Sequence, residues 1–479
     1  MINKFKILAA DTAIYGSFTI LQRFLTFFLT PFYTNYLLQE DLGNVYYIYT
    51  ILAFLNVLYS FGMENAFFRF FKENSPKNVF STIFIFVISF AAILSTIIYF
   101  LSDVIFTDSE QLIRMMKYSA LVLFFDAVTL IPFALLRMER KTKQFAGLKL
   151  LMVLIAVGLN VWLIVGNGMN GEAVFLAQAI ASFIGILLII HVIKNYFVFK
   201  IDKQLLKNLL IFGIPTVPAA LSTLLLKTGD HFILPNMKSP EILAIYSTNY
   251  KLALPMMMFV TTFDYAFKPL YMNMYKDADS KDFFARVLTY FVLLCAAIFL
   301  LISIFMPYIV TLPFFGGKFI NPIYWEGLQI IPLILGGYFF LGLFNYFAIG
   351  INITKNTKEL PFAVGVAMVI NIVGNILLIP KYSYIASAWL TILAYMISAF
   401  ILFFKSKKYY PLDYDWKKIS LIVIITIITY FVYTYLSLGL YFDFSVLIVW
   451  PILLILTGAI SKNDTNNIKE LIRKFTKRK

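Results

Sequence analysis

Arg23 is the residue whose surroundings least resemble a structural role. It sits within a long apolar run, on one face with Thr12, Gly16, Thr19, Thr26 and Thr30, at steps of three and four. An Arg or Lys at the centre of a membrane helix costs about 2.5–3.5 kcal/mol on insertion scales, so it requires a partner, water or a ligand. A guanidinium offers a planar fork of donors, a chemistry suited to phosphate or carboxylate. Lys251 lies about one-third into a second apolar run and either serves with Arg23 or snorkels outward. Asp126 lies near the middle of another. It reads as a buried salt bridge to Arg23 or Lys251, or as a proton or cation site.

Other polar residues repeat at helical spacing. Thr216, Ala220, Thr223, Lys227 and Asp230 share a face, with Lys227 and Asp230 near its outer end, where an exposed ion pair is the simpler reading. Asn56, Ser60 and Glu64 form a stripe, and Glu64 and Arg69 flank its inner end as gate candidates. Small and hydroxylated residues also mediate tight helix packing in membranes. For Asn345, Asn352, Asn371 and Asn375 packing and ligand roles stand level.

The elements holding these residues are set by composition. The chain has 479 residues, 61% hydrophobic and 14% charged, with a mean hydropathy of +0.83. No water-soluble core could hide so much apolar surface. The apolar runs are continuous rather than alternating, which excludes a β-barrel and gives an all-α polytopic membrane protein. Fourteen spans are expected, from about residues 7–38 to 444–460. Thirty-two of the 40 Lys and Arg fall in alternate gaps between them, including Arg137–Lys149, and only six fall in the others. By the positive-inside rule both termini are cytoplasmic. The first run is too long for a cleaved signal peptide and is expected to remain as a helix.

The basic balance of +15 is spread over short loops beside anionic lipid, which argues against nucleic acid as a partner. One cysteine, Cys295, and two histidines, His191 and His231, supply neither a disulfide nor a dense metal constellation, so no cofactor or metal is expected. Pro215 and Pro218 permit a bend in the seventh span. A faint parallel repeat aligns Gly16, Thr19 and Thr26 with Gly213, Thr216 and Thr223, an arrangement found in transporters.

The stretches Gly16–Tyr46, Phe61–Glu73 and Phe212–Leu252 resemble the polysaccharide (O-antigen type) flippases of the multidrug/oligosaccharidyl-lipid/polysaccharide superfamily. The resemblance implies two six-helix lobes, residues 1–200 and 201–408. Two additional helices at 409–461 and a basic cytoplasmic tail at 462–479 complete the chain. It also implies an inner-membrane protein without enzymatic activity, moving a polyprenyl-pyrophosphate-linked oligosaccharide between leaflets by alternating access. A glycan polymerase is the implied protein partner. The family's cavity cations carry over to Arg23 and Lys251, with Thr19, Thr26, Asn56 and Thr223 lining the cavity. Asp126, Glu64, Arg69, Lys227 and Asp230 are candidates for a gate or for coupling to a proton or Na+. Two rival readings are a cation-coupled multidrug exporter on the same fold and a membrane glycan polymerase or ligase. A polymerase normally needs a substantial outer loop, yet the longest here, Val310–Gly327, holds only Lys318 and Glu326 as charged residues.

Overall fold

The computed structural model describes residues 21, 24–107, 109–436 and 438–460. It is helical almost throughout. The order is α1 (24–36), α2 (Gln39–Ser60), α3 (Met63–Phe70), α4 (Pro76–Ile105), α5 (Glu110–Met138), α6 (Thr142–Val161), α7 (Glu172–Tyr196), α8 (Lys203–Gly213), α9 (Thr216–Met237), α10 (Pro240–Leu252) and α11 (Leu254–Met274). There follow α12 (Ser280–Ile309), a two-residue hairpin of β1 (Pro313–Phe314) and β2 (Gly317–Lys318), α13 (Ile331–Ile353), α14 (Glu359–Tyr409), α15 (Trp416–Leu436) and α16 (Leu440–Leu456).

Ten helical stretches among the described residues are long and apolar enough to cross a membrane, and α16 is a shorter apolar helix. Twelve of the fourteen expected spans map onto these helices; the eighth corresponds to α10 and α11, which are not among the ten, and half of the first lies outside the described residues. Two differences from the expected boundaries have local causes. The eighth span is divided at Ala253, just before Pro255, into α10 and α11. The eleventh and twelfth run together as α14 across a kink at Ser383 (φ 52°). The seventh span breaks at Ile214–Pro215, where the proline spacing placed a bend.

The chain divides into two compact units. The first gathers the chain up to Lys251 with Pro313–Gly327 and Val364–Leu390. Within it α5 packs against both α4 and α7 and is the most buried span. Lipid tails are as apolar as leucine, so close approach of backbones, rather than exclusion from water, must hold such helices together. The sequence supplies the small residues for it: Ala120, Ala127 and Ala134 are buried on α5, as are Ala173, Ala177 and Ala181 on α7. Between α2 and α3 the chain turns through Phe61 and Gly62, both at positive φ. A Cβ on Gly62 would lie 2.3 Å from the Gly213 carbonyl oxygen, so this break needs glycine for both conformation and space.

The second unit comprises Leu252–Leu312, Leu328–Ala363 and Thr391–Lys479. Its core is aromatic. Phe263 lies 4.7 Å from Phe291 between ring centroids, and Phe267 stacks on Tyr346 at 5.5 Å. Gly342 admits Phe291 to the surface of α13, where a Cβ would meet the ring edge at 2.4 Å. Trp450 of α16 donates its indole N–H to Thr426 of α15 at 3.0 Å, tying the last two helices together.

Candidate functional site

A cavity of about 300 Å³ opens inside the first unit among α2, α3, α5 and α6. Asn56, Tyr59 and Ser60 come from the last turns of α2. The Phe61–Gly62 turn then redirects the chain, so that Glu64 on α3 lines the cavity too. Asp126, Thr129, Phe133 and Arg137 recur at steps of three and four and face it from α5, while Phe145 and Lys149, four apart, face it from α6.

Its charges are balanced, two acids against two bases. Arg137 is ion-paired with Glu64 and lies over the Phe68 ring at 4.8 Å. Asp126 accepts a hydrogen bond from the Ser182 hydroxyl at 2.7 Å, and its cationic neighbour is Lys149. The Lys149 ammonium stands 4.1 Å from the centroid of Phe133 and makes no ion pair within 4.0 Å among the described residues. Tyr59 is fixed by its hydroxyl, which bonds Ser95 at 2.8 Å, and Ser95 in turn donates to the Ala120 carbonyl. Such a chamber offers donors, acceptors and aromatic faces without net charge. It suits a polar, uncharged or zwitterionic ligand.

A second polar cluster lies in the same unit on α9 and α10. Asp230 is buried, and this corrects the expectation of an exposed pair with Lys227. Its Oδ1 accepts from the His231 backbone N–H at 2.9 Å and lies 2.8 Å from the ring Nδ1, while Oδ2 accepts the Tyr246 hydroxyl at 2.5 Å. The His231 ring meets those of Tyr246 and Tyr250 edge-on. On α10, Lys251 places its ammonium 4.0 Å from the centre of the Tyr46 ring, and Tyr46 is bonded to Thr248 at 3.4 Å. Lys251 makes no ion pair among the described residues. It is held inward against an aromatic face rather than snorkelling.

The remaining sequence-predicted residues differ in exposure and partners. Arg23 and Thr19 lie outside the described residues. Thr26 and Thr223 are exposed, and the Thr223 hydroxyl donates to the Ala219 carbonyl of its own helix at 3.0 Å. Arg69 is exposed and paired with Glu73 at 2.8 Å, away from Glu64. Lys227 is exposed. The amides divide: Asn375 bonds Asn371 and accepts from Ser387 at 2.8 Å across the α14 kink, and Asn352 donates to Tyr271 at 2.9 Å.

The structure thus brings Asn56, Glu64 and Asp126 together and adds Arg137 and Lys149, which the sequence reading had assigned to a cytoplasmic loop. A signal existed for Lys149: an apolar run of ten residues after it and Phe145 one turn before place it inside the helix. His231 and the position of Tyr46 beneath Lys251 had no comparable signal.

The profile of the family described as polysaccharide biosynthesis protein matches residues 36–323, more than half of the chain. A search of curated proteins found no matching sequence. Among solved structures, the lipid II flippase MurJ in an inward closed conformation is similar with a TM-score of 0.76 at 15% identity, over 92% of this chain and 98% of that one. An inward-facing multidrug resistance MATE family transporter gives 0.59 at 11%, over 81% and 94%. A transporter of the same superfamily from Pyrococcus furiosus gives 0.57 at 12%, over 84% and 94%. At these identities the likeness establishes the fold. With the family profile it leads to one statement: the chain is a multi-pass membrane protein of the polysaccharide biosynthesis protein family, built on the fold shared by flippases and transporters of the multidrug/oligosaccharidyl-lipid/polysaccharide superfamily.

Proposed function

We propose that this protein is a flippase that moves a polyprenyl-pyrophosphate-linked oligosaccharide from the cytoplasmic to the outer leaflet, by alternating access, for surface polysaccharide synthesis. The observation that carries the reading is Lys251: a cation in an apolar stretch of the chain, turned onto Tyr46 and without an ion pair among the described residues. A charge kept at that depth without a carboxylate suits a mobile anion as its partner. Arg23 is proposed as the second cation of this headgroup site, and the two lobes, 1–200 and 201–408, as the bodies that rock about it. Asp230, buried yet bonded to a titratable imidazole, is the proposed coupling group for a proton or Na+. Glu64 and Arg137 are the proposed gate pair.

The test is export of surface glycan in a strain depending on this protein. Arg23→Ala and Lys251→Gln should each abolish export while the lipid-linked oligosaccharide accumulates, with insertion and abundance unchanged. Full export by either well-expressed variant would remove that residue from the headgroup site. The multidrug exporter remains as the second reading because the same fold is found in MATE transporters. Export of a cationic dye by membrane vesicles would favour it.

A further inference from the structure

We infer that the Asp126–Lys149 chamber is a carbohydrate subsite, taking a sugar ring of the transported oligosaccharide apart from the pyrophosphate that Lys251 addresses. This rests on the flippase reading and adds to it a place where the glycan itself is recognised.

At about 300 Å³ the cavity lies at the lower end of small-molecule pockets, roughly 300–1,000 Å³, and admits a ring-sized polar ligand rather than a lipid chain. Its charges are the next constraint. A phosphate would meet Glu64 and Asp126 as well as the two bases, and the Arg137 fork is already engaged by Glu64. A free cation would compete with the Lys149 ammonium for Asp126. A metal ion is equally ill served, since no group of three His, Cys, Asp or Glu side chains able to hold one occurs among the described residues.

A sugar ring asks for something else: donors and acceptors side by side for vicinal hydroxyls, and an aromatic face for its C–H surface. Lys149 supplies up to three N–H donors and Asp126 a carboxylate, one of whose oxygens is held by Ser182. Asn56 supplies an amide from the exposed face of α2. Phe133, beneath the Lys149 ammonium, and Tyr59, fixed by Ser95, are the aromatic walls. Both charged groups are already oriented by the protein, so recognition costs little reordering of side chains.

The probe is the soluble oligosaccharide released by mild acid from the lipid-linked precursor of the host's own surface glycan. Its binding to the full-length protein in lipid nanodiscs is followed by isothermal titration. Wild type should bind saturably. The double variant Asp126→Asn/Lys149→Met, which leaves neither charge stranded, should bind at least tenfold more weakly. Asn56→Ala truncates an exposed side chain without threatening folding and should weaken binding severalfold, so it decides the matter should the double variant misfold. Arg69→Ala, outside the chamber, should match wild type, and inorganic pyrophosphate should not displace the sugar.

Absence of saturable binding by wild type, wild-type affinity in both chamber variants, or displacement by pyrophosphate would each overturn the subsite. The transport reading is scored separately in proteoliposomes. Translocation of lipid-linked oligosaccharide by wild type, with sugar affinity unchanged in the variants, sinks the subsite and spares the flippase. Sugar binding lost in the variants, with no translocation by wild type, does the reverse.

Discussion

Lys149 on α6 holds its ammonium 4.1 Å from the centroid of Phe133 on α5, on the same chamber wall as Asp126, which lies two helical turns before that ring. The arrangement combines a cation–π contact with a carboxylate nearby but out of ion-pairing contact. A charge so placed is stabilised by its surroundings yet keeps donors for a ligand.

Removing Lys149 alone should be worse than removing both charges. Lys149→Met leaves Asp126 in the chamber without its cationic neighbour, and a charge left without a compensating partner in a low-dielectric site is destabilising. Asp126→Asn/Lys149→Met should recover most of that loss. Thermal unfolding in nanodiscs checks it, and equal stability of the single and double variants would show that the two charges do not couple.

Gly62→Ala should destabilise the α2–α3 break. The position has φ of +70°, and the added Cβ would lie 2.3 Å from the Gly213 carbonyl oxygen and 2.5 Å from the Thr216 hydroxyl oxygen. Strain at such a backbone costs on the order of 1–3 kcal/mol before the steric clash is counted. Lower melting temperature and loss of export together are the expected result, since the break also aims Glu64 at Arg137.

Tyr246→Phe removes the hydroxyl that donates to Oδ2 of buried Asp230. Leaving a buried acceptor unsatisfied costs about 1–3 kcal/mol, with charged groups at the upper end. If Asp230 couples transport to an ion gradient, the variant should also shift the pH or Na+ dependence of export. A drop in stability with an unchanged ion dependence would confine Asp230 to a structural role.

Glu139, at the turn between α5 and α6, gives a pH signature. Partial burial pushes its carboxyl upward, but the Lys141 ammonium at 2.8 Å and the Tyr196 hydroxyl outweigh this and hold it below the ordinary carboxylate range. A lowered folded-state value means that the stabilisation is fully present above the unfolded pKa of about 4.3 and is lost as pH falls through the folded value. Wild type should therefore exceed Glu139→Gln in stability by a constant margin from pH 7 to about 5, with the margin shrinking below about 4. A margin that instead grows on acidification would reverse the assignment.

How much of this was legible in the residues differs from feature to feature. The positions of the spans were, because a helix that meets lipid must be apolar along its whole length and that demand is written residue by residue. The bend at Pro215 was equally local, following from a missing N–H and a fixed φ. The Phe61–Gly62 break was not foreseen, since the requirement for glycine there comes from the Gly213 carbonyl pressing on it, a contact between segments far apart in the chain.

The candidate site divides along the same line. The sequence by itself determined that the chain is a membrane bundle and that a few charges lie at membrane depth, because hydration free energy depends on side-chain type alone. Which charges meet was decided only by the fold. Asp126 faces Lys149, Glu64 takes Arg137 instead of Arg69 as its partner, and Asp230 turns inward to His231 and Tyr246. Pairing depends on how α3, α5 and α6 rotate about their own axes, and that rotation is set by small residues on buried faces and by a single glycine turn, none of which announces its partner in the linear chain.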